Sequence, residues 1–167
     1  LLTQRAGETT LTVTAQEGQT LPDGTTQVEE INESGGVAIN LFSEVAFHGR
    51  VVDPDAGFDT VKAVFTQNGL VAKEGSTLGD GTTLDDMNED GGVAINVFGD
   101  VAFHGHGVCP TTGVDTIKGI FTQNGKVAAV GETLSDGTVV DEIEVSGGVG
   151  INLYGQVVFH GRTGGIQ

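Results

Sequence analysis

One stretch decides the fold: Gly92-Val93-Ala94-Ile95-Asn96-Val97-Phe98-Gly99-Asp100-Val101-Ala102-Phe103-His104-Gly105. Close copies of it occupy residues 36–49 and 148–161, so the three copies lie 56 residues apart. Self-similarity at a fixed period is typical of repeat architectures. The 167-residue chain is therefore predicted to be a single array of three tandem repeats, with residues 1–63, 64–119 and an incomplete third repeat at 120–167.

Each copy is predicted to be a β-hairpin. In the second copy, two apolar runs flank Gly99-Asp100, which suits a tight two-residue turn. This turn would place Phe98 opposite Val101 and Asn96 opposite Phe103, and opposed residues share a face. Both faces of the hairpin would then be mostly apolar, whereas a hairpin covered on one side alternates apolar and polar residues. The hairpin is therefore expected to lie between neighbouring repeats.

A second hairpin is predicted before each of these core hairpins. Asn124-Gly125 separates two apolar runs, and Asn68-Gly69 repeats the pattern 56 residues earlier. Asn-Gly between apolar runs is the strongest short hairpin signal. Two antiparallel hairpins in about 56 residues match the size of a propeller blade, so the predicted fold class is all-β and β-propeller-blade-like. The acidic segment 139–145 fits either a further strand or a helical turn.

Composition limits the possible partners. The chain has 7 basic and 23 acidic residues, and its net charge of −16 repels polyanions, so no nucleic-acid partner is expected. No apolar run is long enough for a transmembrane helix, so membrane insertion is not expected. Twenty-eight glycines and three prolines favour many short strands joined by tight turns. The single cysteine, Cys109, cannot form an internal disulfide.

The pattern Asn96-x-x-Gly99-x-x-Ala102-Phe103-x-Gly105 resembles the signature of the bacterial NxxGxxAF tandem-repeat proteins. The first copy departs from it with Ser43 in place of the glycine, and the third with Val158 in place of the alanine. The resemblance covers the whole chain. It implies a β-repeat, propeller-like fold and an extracellular or cell-surface location, and it brings no catalytic residue and no ligand.

Three groups of residues are candidate sites. Asp53, Asp55 and Asp59 alternate around a glycine as carboxylates do in calcium loops, although an ordinary acidic turn has the same composition. No cofactor other than calcium is predicted. The equivalent residues His48, His104 and His160 fit either a metal triad brought together by closure of the array or packing between repeats. The equivalent residues Asn40, Asn96 and Asn152 lie within apolar runs and are expected to bond to neighbouring backbone.

The remaining motifs are weak. Asn32-Glu33-Ser34 is an N-glycosylation sequon. The chain contains no nucleophile elbow and no phosphate-binding loop, so it is expected not to be an enzyme.

Two functions fit these patterns. Leu1-Leu2-Thr3-Gln4 resembles the strand that would follow the third copy, so the leading expectation is a structural protein that assembles head to tail with itself into a filament or ring. The same chain ends also fit an alternative, in which the chain is an excerpt of a longer tandem array. The alternative function is a propeller-like module that binds a glycan or a protein through its Asp-, Gly- and Thr-rich loops.

Overall fold

The computed structural model describes residues 1–4, 6–7, 12–32, 34–53, 59–108 and 116–164. Within them the protein is all-β, as expected, and its only helical segment is a 3₁₀ turn at Val145–Gly147. The strands are β1 (Leu2–Thr3), β2 (Thr12–Val13), β3 (Val28–Ile31), β4 (Val37–Ile39), β5 (Val45–Asp53), β6 (Asp59–Thr66), β7 (Gly69–Lys73), β8 (Thr83–Met87), β9 (Val93–Ile95), β10 (Val101–Val108), β11 (Ile117–Thr122), β12 (Gly125–Ala129), β13 (Val139–Ile143), β14 (Val149–Ile151), β15 (Val157–Phe159) and β16 (Gly161–Gly164). None of the described segments is a helix long and apolar enough to cross a membrane.

Two antiparallel five-stranded sheets share one strand order. The first runs β3-β5-β6-β7 and the second β8-β10-β11-β12, with β4 and β9 attached to β5 and β10. The remaining strands form the pairs β1-β2, β13-β16 and β14-β15. The hairpin expected to precede each core hairpin thus pairs with the copy before it, and the predicted repeat boundaries after residues 63 and 119 fall inside β6 and β11.

The register predicted for the core hairpin is wrong. Val101 pairs with Ile95, and Phe103 pairs with Val93, so the connection contains the five residues 96–100 instead of two. The reason is that Asn96 belongs to the turn: its side-chain Oδ1 accepts hydrogen bonds from the amides of Phe98 and Asp100. Phe98 consequently lies at the tip of the turn and not on a strand.

The hairpin predicted at Asn124-Gly125 is confirmed, with its turn shifted by one residue. Thr122 pairs with Gly125, so Gln123 and Asn124 form the two-residue connection. Of the two alternatives for the acidic segment 139–145, the strand is confirmed: β13 covers Val139–Ile143, and the 3₁₀ turn begins only at Val145.

The core lies between successive sheets. One apolar cluster joins residues of the first sheet, such as Ala46 and Val64, to Val93, Ile95 and Phe103 of the second copy. On the opposite face of the second copy, β9 and β10 contact β14, and Ala94 and Ala102 are buried there. The second copy is therefore covered on both faces, with large side chains toward the first copy and small ones toward the third.

Candidate functional site

The three asparagines at the equivalent turn positions make the same local hydrogen bonds. Each Oδ1 accepts from the amides two and four residues later, at 2.9 Å and 3.0 Å in the turns of Asn96 and Asn152. Each Nδ2 donates to the side chain four residues later, which is Glu44, Asp100 or Gln156. One side chain thus closes each five-residue turn from within, which is the usual role of Asn in Asx turns.

The same asparagines also connect the copies. Asn40 Nδ2 donates to the main-chain oxygen of Asn96 at 2.8 Å, and Asn96 Nδ2 donates to that of Asn152 at 3.3 Å. We call this series the asparagine ladder. Within the described part of the chain, the Nδ2 of Asn152 bonds only to Gln156. The sequence indicated that these asparagines need partners but not that one carbonyl lies a full repeat away.

Glycines make a second series of contacts between the copies. A Cβ on Gly36 would lie 3.1 Å from Gly92 Cα, and a Cβ on Gly92 would lie 2.9 Å from Gly148 Cα. These distances leave no room for a side chain, so the backbones of adjacent copies touch. A Cβ on Gly148 would meet nothing within 4 Å.

Two apolar surfaces are left uncovered by the residues that the structure describes. We define the N-terminal face by Leu2, Val37 and Ile39, which surround one surface depression. We define the C-terminal face by Gly148, Gly150 and Val158, which line a second depression together with His160. Ile39 is 59% exposed and Val158 is 70% exposed, whereas the equivalent Ile95 and Ala102 of the second copy are buried.

The three histidines at equivalent positions, His48, His104 and His160, differ in burial. His48 and His104 are both buried to 1% exposure, and His160 is exposed. Among the described residues, no hydrogen-bond partner of normal geometry reaches either ring nitrogen of His48, and His104 Nδ1 lies 3.4 Å from the carbonyl of Gly92. Burial lowers the pKa of His48 to about 4; the Gly92 backbone opposes this shift and His104 adds to it. Burial also lowers the pKa of His104.

The predicted calcium residues are only partly described. Asp53 is buried and pairs with Lys73 Nζ at 2.6 Å, and it lies opposite Asp59 across the β5–β6 hairpin. Asp55 lies outside the described residues. The part of the chain that the structure describes holds no cluster of three His, Cys, Asp or Glu side chains arranged for a metal ion. Asn32 of the sequon accepts hydrogen bonds from the amides of Ser34 and Gly35 through Oδ1.

The sequence did not predict the contact between Asp80 and the β11–β12 hairpin. Asp80, in the loop between two hairpins, accepts a hydrogen bond at 2.9 Å from the amide of Lys126 in the β11–β12 hairpin. A Cβ on Gly125 would lie within 2.4 Å of the Asp80 carboxyl group, so this glycine is needed for close approach as well as for the turn. Burial raises the pKa of Asp80, but hydrogen bonds from the Lys126 and Thr82 amides outweigh it, and the net pKa is lowered.

Comparison with known proteins gives one match. A family model described as "Family of unknown function (DUF7453)" matches residues 2–166. Searches of the curated proteins and of the solved structures found no match.

Proposed function

The chain belongs to the DUF7453 family, and we propose that it is a structural, non-enzymatic protein of the cell surface or extracellular space. In this proposal each copy and its sheet form one blade-like unit of a propeller-like array. The C-terminal face of one molecule binds the N-terminal face of the next. Such a contact joins unlike surfaces, so it produces a ring if it closes and a filament if it does not.

The observation that carries this proposal is the burial of the second copy. Its hairpin contacts β4 on one side and β14 on the other, through apolar side chains, the asparagine ladder and the touching glycines. The terminal faces present the same groups without these contacts. A second molecule would supply the Asn40 carbonyl to Asn152 Nδ2 and the Gly36 backbone to Gly148.

The second sheet also supports a register for strand addition between molecules. In that sheet Ala102 pairs with Thr122 and Phe103 with Phe121, whose rings lie 6.3 Å apart. The equivalent residues are Val158 and Phe159 of β15, and Thr3 and Leu2 of β1. Strand β1 pairs with β2, and its other edge has no strand partner within the described residues. We expect Val158 opposite Thr3 and Phe159 opposite Leu2, because exposed strand edges pair readily.

The volumes of the two faces fit this contact. In each hairpin, one pair of opposed residues faces the next copy. The pair is Ala38 with Ala46 in the first copy, Ala94 with Ala102 in the second, and Gly150 with Val158 in the third. A Cβ on Gly150 would lie 3.1 Å from Val158 Cγ1, so the smaller residue makes room for the larger one. The C-terminal face thus retains a surface that can accept Val37 and Ile39 of another molecule.

The test uses one charged variant for each face, Ile39→Arg and Val158→Arg. Both side chains are exposed, so both variants should fold, and each should remain monomeric in analytical ultracentrifugation where the wild-type protein forms oligomers. Mixed in equal amounts, they should form dimers and nothing larger, because each retains the face that the other needs. Wild-type monomers at all concentrations would overturn the assembly proposal, and a mixture that stays monomeric would overturn the head-to-tail contact.

A further inference from the structure

The tips of the three five-residue turns carry exposed aromatic rings at equivalent positions. Phe42, Phe98 and Tyr154 are 68%, 75% and 80% exposed. Each is the second residue after its turn asparagine, and the asparagine ladder joins consecutive turns. The rings therefore follow one another along the array, one for each copy. We call them the aromatic row.

The backbone that carries the aromatic row is held in place before any ligand arrives. The amides of Phe42, Phe98 and Tyr154 all donate to the asparagine Oδ1 at 2.9 Å, so the backbone at each ring has the same conformation. Aromatic side chains lose little conformational entropy on binding, and a fixed backbone reduces that loss further. Exposed apolar rings held in this way are typical of a binding surface.

Periodicity and charge indicate the chemical class of the ligand. A row of equivalent rings, one for each copy, fits a polymer whose own units repeat, because each unit then meets the same surface. Glu44 and Asp100 lie two residues after Phe42 and Phe98, and the chain carries a net charge of −16. Anionic polymers are therefore repelled. Neutral sugars present apolar C–H faces that can stack on aromatic rings and hydroxyl groups that can bond to the flanking carboxylates.

We propose that the aromatic row binds a neutral polysaccharide by stacking successive sugar units on Phe42, Phe98 and Tyr154. The row lies at the turn tips and shares no residue with the terminal faces. This binding is consequently independent of the proposed head-to-tail assembly.

The chain has one tyrosine and no tryptophan, so its tyrosine fluorescence reports on Tyr154 alone. We expect cellohexaose, a soluble neutral probe, to change this fluorescence along a saturable curve, and polygalacturonate to leave it unchanged. Phe98→Ala should weaken cellohexaose binding by roughly tenfold, which corresponds to about 1.4 kcal/mol, because it removes one of the three ring contacts. Leu134→Ala, an exposed apolar side chain in another loop, serves as the matched control and should bind as the wild type does.

The titration is repeated with Val158→Arg, which lacks the proposed assembly face and should bind cellohexaose equally well. Loss of binding in that variant would show that the glycan site depends on assembly and would overturn the independent site proposed here. An absent response, equal binding of polygalacturonate, or unchanged affinity in Phe98→Ala would overturn the aromatic row as a polysaccharide site. So would fluorescence of the Val158→Arg variant that changes with protein concentration alone, since this variant lacks the head-to-tail contact and the row would then itself be a contact between copies.

Discussion

Asn96 makes four side-chain hydrogen bonds from a position that is only 3% exposed. Two of them close its own turn, one reaches Asp100 Oδ2, and one reaches the next copy. Asn152 makes the equivalent bonds within its turn but is exposed to water. The two residues thus form a natural comparison between a buried and an exposed version of the same turn.

Asn96→Ala should lower the free energy of unfolding by about 3 kcal/mol, because it leaves two amides and a carbonyl without their buried partner. Asn152→Ala should cost about 1 kcal/mol, since water replaces the lost bonds. Urea denaturation of both variants measures the difference. Equal losses would show that the ladder bond and burial contribute nothing beyond closing the turn.

His48 should make the protein less stable in mild acid. Its folded-state pKa of about 4 is depressed from the ordinary 6.5, so the unfolded chain binds the proton more tightly. The free energy of unfolding is therefore at its full value above pH 6.5, and it falls by up to about 3 kcal/mol as the pH falls toward 4. Some carboxylates, including Asp23 and Asp80, have a pKa below the ordinary 3.8. They do not contribute to the change in stability between pH 6.5 and pH 4.

Urea denaturation between pH 7 and pH 4 tests this expectation. His48→Leu should reduce the slope without abolishing it, because it removes one buried titrating ring while His104, whose pKa burial also lowers, remains. The exposed His160 supplies the control, and His160→Leu should keep the wild-type slope. Wild-type stability that does not change between pH 6.5 and 4 would contradict a neutral, buried His48.

At the scale of single residues, the sequence predicted which residue types form the turn but not which position each one takes in it. An asparagine among apolar residues needs a partner, and the sequence indicated this for Asn96. Gly99-Asp100 matches a two-residue turn, yet the same sequence also fits a five-residue turn that is closed by Asn96. The two alternatives differ in hydrogen bonds that no local pattern contains, one of them to a carbonyl 56 residues away.

At the scale of strands and hairpins, hydrophobic patterning predicted more. The all-β class and the Asn-Gly hairpins follow from short apolar runs and turn chemistry, and the two-sided burial of the second copy follows from the lack of polar alternation in its hairpin. The pairing of β6 with β5 could not be derived in this way, because a hairpin with apolar residues on both faces can join either neighbour. A close contact that accompanies this pairing, Asp23 against Gly69, joins residues 46 positions apart in the chain.

The strand register proposed between molecules can be tested by cross-linking. In a Cys109→Ser background, Thr3→Cys and Val158→Cys are made as separate variants and mixed. A short bismaleimide should link them into a covalent dimer, because directly opposed strand residues have Cβ atoms about 5 Å apart. Thr12→Cys on strand β2, mixed with Val158→Cys, is the control and should link poorly. Equal yields for both mixtures would argue against this register.

At the scale of the whole molecule, the net charge opposes the association that the apolar faces favour. Two chains that each carry −16 repel one another, and salt screens this repulsion. Raising the ionic strength from about 0.01 M to about 0.15 M shortens the Debye length from about 30 Å to about 8 Å. The association constant should therefore rise with salt, by roughly fivefold or about 1 kcal/mol.

Sedimentation at several NaCl concentrations measures this salt dependence. Sodium sulfate at matched ionic strength tests whether the anion matters in addition to screening. An association constant that falls with salt would indicate that ion pairs drive the contact, which is not expected of the two apolar faces.

The asparagine ladder has a consequence for how such a chain can change in length. The ladder and the touching glycines connect each copy to the next through groups that all three copies share: an asparagine side-chain donor, a main-chain acceptor and a glycine. A duplication or deletion of one 56-residue unit would leave every remaining junction with its donor, its acceptor and its glycine contact. The length of the protein can thus vary in whole units during evolution, without new complementary side chains at the joins.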